Sequence, residues 1–196
     1  SGMAAINSVF NILPVGAVVT ASNQGYSGTM TVLKMLNESG RLEVRFVDVT
    51  NTEEVLAAIP GTQLFWLESP TNPCLDVADL PTLIKAAKQA GIGVGVDNTF
   101  ATPLNQNPLA MGADLVMNSV TKFLAGHGTV VAGAIVDGGK FEWSKSDKFP
   151  GLNTPDESYH GVTYTSALGD GIAYIIKARV QLLRDLGAAV SPNNAW

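Results

Sequence analysis

Short apolar runs followed by polar or charged residues constrain the fold of this chain more than any other feature. Glu68, Asp97 and Lys122 each come shortly after such a run. Apolar runs of this length are typical of buried β-strands when turn-forming residues bound them. The runs lie at residues 63–67, 92–96 and 114–119. In an open α/β sheet the ends of such strands meet at one edge, where ligands bind.

Helical patterns alternate with these strands. Asp79 is a typical helix-capping residue, and Gly91 is placed where a helix commonly ends. The predicted helices lie at residues 3–13, 27–38, 52–59, 79–89 and 108–111, and the predicted strands at 16–21, 42–48, 63–67, 92–96, 114–119 and 130–136. Strands separated by helices form right-handed βαβ units. The sequence therefore predicts an α/β fold, a mainly parallel sheet with helices on both faces.

The last part of the chain departs from this alternation. Residues 137–165 are polar and aromatic with little periodicity, and a loop of that length is usually functional or belongs to an interface. From Ala167 to Gly187 apolar residues recur at helical spacing, which predicts one long helix. We therefore predict a large domain at residues 1–165, incomplete at its N-terminus. Residues 166–196 are predicted as a long helix that leads to a C-terminal domain absent from this sequence.

Composition and charge disfavour several classes of protein. Of the 196 residues, 46% are hydrophobic, which is enough for one domain with a sizeable core. The formal net charge of −5 offers no basic surface to nucleic acid or to a membrane. No apolar run approaches the roughly 20 residues of a spanning helix, and no signal peptide opens the chain. We therefore expect a soluble, cytoplasmic protein in which Cys74, the only cysteine, is structural.

Lys122 is the candidate for covalent chemistry, although an isolated lysine is usually a surface charge. Ser119 and Thr121 lie beside it and offer hydroxyl groups to a phosphate. Gly2 and Met3 open a helix whose free backbone N–H groups favour an anion. A lysine that can form a Schiff base, with phosphate-binding groups and a carboxylate nearby, suggests pyridoxal 5′-phosphate as the cofactor.

Asp97, Tyr26 and Asn72 each have two interpretations. Asp97 can pair with the pyridinium nitrogen of the cofactor, which keeps the ring a good electron sink, or it can cap a turn. Tyr26 lies in a glycine-flanked turn and can stack on a flat ligand or cover the core. Asn72 lies between two prolines and can reach the ring oxygen of the cofactor or belong to a plain turn.

Other chemistries are disfavoured. His127 and His160 are more typical of structural or loop histidines than of catalytic bases. The first strand is not followed by the G-x-G-x-x-G motif of nicotinamide-binding proteins. We predict no metal ligands.

Several segments carry a resemblance to a known family in their order and spacing. They are residues 1–5, 26–29, 68–73, 96–103 and 119–127. Together they resemble the Cys/Met-metabolism family of pyridoxal-phosphate enzymes, which includes cystathionine synthases and lyases, methionine γ-lyase and homoserine-ester sulfhydrylases. The resemblance implies the large domain of the fold-type I pyridoxal-phosphate transferases.

The resemblance also implies a role for each candidate residue. Lys122 would be the Schiff-base lysine, Asp97 the partner of the pyridinium nitrogen, and Tyr26 the stacking ring, which also assists proton return. The implied phosphate contacts are Gly2, Met3, Ser119 and Thr121, and the implied ring-oxygen contact is Asn72.

Within the family, residues 136–188 resemble the O-acetylhomoserine sulfhydrylase branch, whereas residues 68–73 are closer to the lyase and synthase branch. The first resemblance implies γ-replacement in methionine biosynthesis: O-acetyl-L-homoserine and sulfide give L-homocysteine and acetate. Cystathionine γ-synthase, cystathionine γ-lyase and methionine γ-lyase activities stay open, with another thiol or no second substrate. A catalytically inert core that only binds cofactor stays open as well.

The resemblance further implies a homo-oligomer, usually a tetramer built as a dimer of dimers, with each site formed across a dimer. The family takes more phosphate contacts from a neighbouring subunit and a substrate-binding arginine from a C-terminal domain, and neither is found in this sequence. Arg179 and Arg184 come too early in the chain to be that arginine.

Overall fold

The computed structural model describes residues 1–196 and contains one six-stranded sheet with the order β2-β1-β3-β4-β5-β6. The strands are β1 Ala17–Ser22, β2 Leu42–Val47, β3 Leu64–Glu68, β4 Gly93–Asp97, β5 Leu115–Asn118 and β6 Ala134–Asp137. Neighbouring strands from β2 to β5 are parallel, and β6 runs antiparallel to β5. The parallel strands therefore share one carboxyl edge.

Capping residues set several of the helix boundaries. The Ser1 hydroxyl accepts the N–H of Ala4 at the start of the first helix, and the Asp79 carboxylate accepts the N–H of Thr82 at the start of the fourth. The helices are α1 Gly2–Phe10, α2 Ser27–Glu38, α3 Thr52–Ala57, α4 Leu80–Gln89, α5 Thr102–Asn105, α6 Pro108–Met111, α7 Pro150–Asn153, α8 Tyr164–Leu168, α9 Asp170–Lys177 and α10 Pro192–Ala195. None of them combines the length and the apolar composition that crossing a bilayer requires.

The sheet has a hydrophobic core on each face. Successive side chains of β3 alternate between the two cores: Leu64 and Trp66 join the α1 side, and Phe65 and Leu67 join the α4 side. Strands that are buried on both faces are expected where helices cover both sides of a parallel sheet. This arrangement confirms the predicted α/β fold class.

The predicted long helix from Ala167 to Gly187 is wrong. Gly169, at φ 78° and ψ 161°, separates α8 from α9. After α9 the chain continues in a wider π-helical segment, Ala178–Leu183. The spacing of apolar residues does not reveal that a glycine among them has non-helical backbone angles. The pattern therefore predicts a continuous helix where the structure has a break. The division of the chain at residue 165 stays a prediction.

Residues 137–165 are built into the core rather than forming a free loop. Trp143, Phe149 and Leu152 are buried there, and the Trp143 ring lies 4.9 Å from that of Phe149. The segment also contains short helical turns, which the sequence analysis did not predict. These aromatic side chains therefore have a packing role, in place of the functional or interface loop that the sequence predicted.

A buried ion pair fastens this segment to α9. Lys177 Nζ lies 2.8 Å from Asp156 Oδ2, both side chains are 8% exposed, and the Tyr164 hydroxyl donates to the same oxygen. Burial raises the pKa of Asp156, but the hydrogen bonds from Lys177, Ser158 and Tyr164 outweigh it and hold that pKa well below its usual value. The ionised carboxylate therefore stabilises the fold.

Replacing Lys177 by Met is expected to lower the free energy of unfolding by about 3–5 kcal/mol at pH 7, because it leaves a buried carboxylate without its cation. The folded pKa of Asp156 lies below its unfolded value, so the stabilisation is present above the unfolded pKa and is lost as the pH falls through the folded one. Urea unfolding at pH 7 and in acid should therefore show a difference that shrinks in acid. Lys34→Met, on the exposed face of α2, is the control; equal losses in both variants would contradict the prediction.

Candidate active site

A cavity of about 190 Å³ opens at the carboxyl edge of the sheet. Every residue that the sequence analysis assigned to the site lines it: Gly2, Met3, Tyr26, Asn72, Asp97, Ser119, Thr121 and Lys122. The strand register explains this convergence, because Asp97 pairs with Glu68 of β3 on one side and with Met117 of β5 on the other. The cavity is thus built where ligands bind in folds of this kind.

One end of the cavity is formed by the start of α1. Gly2 is buried there, and a Cβ atom on this residue would lie only 2.9 Å from the Cβ of Ser119. A side chain at position 2 would therefore push the helix away from β5. The Ser119 hydroxyl forms no hydrogen bond within the chain and faces the cavity edge beside this helix start. Free backbone N–H groups and a free hydroxyl are suitable donors for a phosphate.

Thr121 lies at the same end but already has partners. Its hydroxyl donates to the carbonyl oxygen of Ala132 at 3.0 Å and accepts the N–H of Ala132 at 3.0 Å. The side chain thereby fastens the loop that carries Lys122 to the chain just before β6. The role of Thr121 as a phosphate contact stays a prediction, and it requires the hydroxyl proton to turn away from Ala132.

Asp97 lies at the bottom of the cavity and is 5% exposed. Its Oδ1 accepts the N–H of Thr99 at 3.0 Å, and the Thr99 hydroxyl oxygen accepts the N–H of Ser119 at 2.8 Å. Burial raises the pKa of Asp97, whereas the hydrogen bonds from Thr99 oppose that shift. Asp97 thus makes the turn contact of the simpler interpretation and also presents a carboxyl group to the cavity.

Tyr26 immediately precedes α2 and is 41% exposed. Its ring lies against Gly28, because a Cβ atom at position 28 would come within 2.6 Å of the ring and 3.2 Å of the Met3 sulfur. The glycine therefore gives the ring the room to lie flat beside Met3. The Tyr26 side chain thereby lines the cavity.

Lys122 and Asn72 reach the cavity with unengaged side chains. The Lys122 side chain is exposed, and its Nζ makes no hydrogen bond or ion pair within the chain. Asn72 is half-buried, and its side-chain amide is likewise unbonded. An amine without an internal partner is suited to form a covalent bond with a ligand.

Two residues with clear structural roles at the site were not assigned one from the sequence. Thr99 links Asp97 to Ser119, and Glu68 contacts the loop that carries Tyr26. The position of Glu68 directly after a buried strand was the available signal. His127 and His160 do not line the cavity, and Cys74 is exposed with its Sγ 3.6 Å from Gln24 Oε1 rather than packed in the core.

Comparisons with known proteins agree with this geometry. An O-acetyl-L-homoserine sulfhydrylase of Leptospira meyeri is 42% identical over 197 residues, which cover 96% of this chain and 44% of that protein. A cystathionine gamma-lyase of Bacillus subtilis is 46% identical over 142 residues, which cover 71% of this chain and 37% of that protein. This chain therefore spans less than half the length of these relatives.

A solved structure of Campylobacter jejuni, described as an O-acetylhomoserine (thiol)-lyase with N′-pyridoxyl-lysine-5′-monophosphate, matches the fold with a TM-score of 0.90. It is 32% identical, and the match covers 100% of this chain and 49% of that one. The family model of Cys/Met metabolism PLP-dependent enzymes matches residues 1–196. With the whole chain matched and the predicted residues gathered around one cavity, the chain belongs to the Cys/Met metabolism PLP-dependent enzyme family.

Proposed function

We propose that this chain supplies the pyridoxal 5′-phosphate site of an enzyme that exchanges the acetoxy group of O-acetyl-L-homoserine for sulfide, giving L-homocysteine and acetate. The observation that carries the proposal is that Lys122, the Asp97 carboxyl group and the start of α1 all line one cavity. The choice of substrates is supported by relatives that match nearly all of this chain and are named O-acetyl-L-homoserine sulfhydrylase.

The residues of the cavity fit the cofactor at both of its ends. The close approach of Gly2 to Ser119 leaves a space that even a Cβ atom would fill, and donors of the kind that hold a phosphate surround it. Asp97 would hold the pyridinium nitrogen, Asn72 the ring oxygen, and Tyr26 would cover the ring face. Lys122 Nζ would make the covalent link.

The cofactor, when bound, supplies an electron sink for negative charge that develops on the substrate carbon next to the amine. Lys122 Nζ would remove the proton from that carbon and later return it. The Asp97 carboxylate would keep the ring nitrogen protonated. Tyr26 excludes water from one face and assists the return of protons through its hydroxyl group. Lys122 Nζ would also take a proton from Cβ as acetate leaves Cγ; hydrosulfide then adds at Cγ, and the protons return to Cβ and Cα, so that homocysteine and acetate are the only products.

Elimination or the use of another thiol is the second candidate, because the relative from Bacillus subtilis is named as a cystathionine gamma-lyase at 46% identity. Supplying sulfide, cysteine or no thiol to the full-length enzyme separates these reactions. Homocysteine, cystathionine and 2-oxobutyrate are their respective products. Rapid formation of 2-oxobutyrate with no homocysteine in the presence of sulfide would favour the lyase.

We further propose that the enzyme is a homo-oligomer, built as a dimer of dimers, that works in the cytoplasm. Exposed apolar side chains that line the cavity or lie near its lining residues in the sequence support self-association. Burying such side chains between subunits removes apolar surface from water, which is favourable. They include Leu104, Phe123 and Val131, which are 94%, 61% and 64% exposed. A monomeric mass in sedimentation of the full-length protein would contradict the oligomer.

The first test of the proposal is the visible absorption spectrum of the full-length protein with pyridoxal 5′-phosphate, before and after borohydride. We expect a yellow absorption band that collapses on reduction, with the cofactor then fixed to Lys122 in a peptide map. No band with added cofactor, or a label on another lysine, would overturn the cofactor assignment and favour an inert core. If Lys122 carries the label but no homocysteine forms, the cofactor assignment stands and the substrate assignment is wrong.

A further inference from the structure

Glu68 lines the cavity, but the proposed chemistry gives this residue no role. It is the last residue of β3, it is 6% exposed, and it pairs in register with Asp97 of β4. Its two carboxyl oxygens lie 2.9 and 3.1 Å from the backbone nitrogen of Tyr26, whose N–H donates to both. The backbone N–H of Asn72 favours the charged form of the same carboxyl group.

Tyr26 and Asn72 lie in two loops that are far apart in the sequence. Tyr26 precedes α2 by one residue, and Asn72 lies four residues beyond the end of β3, so no secondary structure connects them. Gly25 lies so close that a Cβ atom there would be 3.0 Å from Glu68 Oε2. From behind, the N–H of Glu68 itself donates to the Ser22 hydroxyl at 3.2 Å. Glu68 is therefore held by the sheet, and its carboxyl group bonds to the loop of Tyr26.

We propose that Glu68 is a positioning residue that places the Tyr26 ring and the Asn72 amide at the cofactor cavity, because it accepts the N–H of Tyr26 and ends the strand that leads into the loop of Asn72. The proposal rests on the proposed function, because it takes Tyr26 and Asn72 as the groups that contact the cofactor ring. Glu68 itself acts only through these two residues. Both carboxyl oxygens lie within hydrogen-bond distance of the Tyr26 nitrogen, so a shorter side chain or one with a single acceptor oxygen weakens this contact.

The charge environment of Glu68 supports this role. Burial, and then the negative charge of Asp97, raise the pKa of Glu68 to about 8, whereas the N–H groups of Tyr26 and Asn72 favour the charged form. The other titratable groups at the cavity are the Tyr26 phenol and the Lys122 amine. The carboxyl group is buried although desolvation disfavours its charged form. We therefore expect its hydrogen bonds to have a role in placing the groups that donate to it.

The test uses Glu68→Gln and Glu68→Asp in the full-length protein, with and without pyridoxal 5′-phosphate. Gln accepts at one oxygen only, and Asp is one methylene too short to reach the Tyr26 N–H. In the cofactor-free protein we expect hydrogen–deuterium exchange of the Tyr26 amide to become about tenfold faster, as the loss of a hydrogen bond predicts, and exchange of the Asn72 amide to rise less. Exchange elsewhere in the sheet should stay unchanged.

Asp114→Asn is the matched control, because Asp114 is also a buried carboxyl that accepts a backbone N–H, from Val94, but at the opposite edge of the sheet. It is expected to change exchange near Val94 and to leave Tyr26 and Asn72 as they are. Unchanged exchange of both amides in the Glu68 variants would overturn the proposal. Equal acceleration in the Asp114 variant would also overturn it, since the effect would then be general loss of stability.

Cofactor affinity gives a second readout. Both Glu68 variants are expected to bind pyridoxal 5′-phosphate about tenfold more weakly, because two ring contacts are no longer held in place before binding. Faster exchange with unchanged affinity would overturn the link between the two loops and the cofactor. Failure of the proposed function would appear separately, as the absence of a borohydride label on Lys122, while the exchange result in the cofactor-free protein would stand.

Discussion

Replacing Lys122 by alanine is expected to lower kcat of the full-length enzyme at least about 1,000-fold, because general acid–base catalysis by one group contributes about 10²–10⁴-fold and the covalent link is lost as well. Lys122 Nζ has no hydrogen bond or ion pair within the chain, so the fold does not depend on it. The variant should unfold at the same urea concentration as the parent protein. Homocysteine formation under saturating cofactor measures the loss.

Two further variants make this prediction specific. Lys122→Arg keeps the positive charge but cannot form the covalent link, and it should lose as much activity as Lys122→Ala. Lys85→Ala removes an exposed lysine of α4 and should leave the activity unchanged. Retention of more than a tenth of the parent activity by Lys122→Ala would show that another group carries the chemistry.

Replacing Asp97 by asparagine is expected to reduce kcat by about 10²–10³-fold, the range observed when one preorganised electrostatic group is removed from an active site. The physical reason is the loss of the negative charge that would keep the ring nitrogen protonated. Asn retains an oxygen that can accept the N–H of Thr99, so the turn after β4 should persist. The effect should therefore appear in kcat, with a small change in stability.

The absorbance of the bound cofactor gives an independent check of the Asp97 prediction. In Asp97→Asn the spectrum should change with pH in a range where the parent spectrum is constant, because the ring nitrogen is then free to lose its proton. Asp97→Glu, which keeps the charge, should retain more activity than Asp97→Asn. Asp147→Asn, at an exposed position, is the control. A parent-like spectrum and rate in Asp97→Asn would leave only the turn-capping role.

Most of the site was predictable from the sequence because its parts follow regular elements. Asp97 ends one buried strand, Lys122 follows another by four residues, and Gly2 opens an apolar helix, so the fold brings all three to one edge of the sheet. The hydrogen-bond partners at that edge were not predictable. Glu68 accepts from Tyr26 across 42 residues, and Thr121 bonds to Ala132, because loops of irregular backbone meet there.

Residues 137–187 show that the fold, too, was only partly predictable from local sequence patterns. Apolar periodicity predicted one helix over residues 167–187, but Gly169 leaves the helical region of backbone space and divides it. The segment at 137–165 lacks periodicity, and yet Trp143 and Phe149 pack in the core. Local patterns do not record such burial, since an aromatic side chain in an irregular segment is buried only by contacts made elsewhere in the fold.

The sequence by itself determined the α/β alternation, the strands whose ends form the site and the residue types that suit a pyridoxal phosphate. These properties depend on the period of apolar residues and on capping groups within a few residues of each other, so they are written locally. Only the tertiary structure decided that Glu68 accepts the N–H of Tyr26, that Thr121 is bonded to Ala132 and that Asp156 is paired with Lys177. Those contacts depend on the packing of distant segments, which no local pattern specifies.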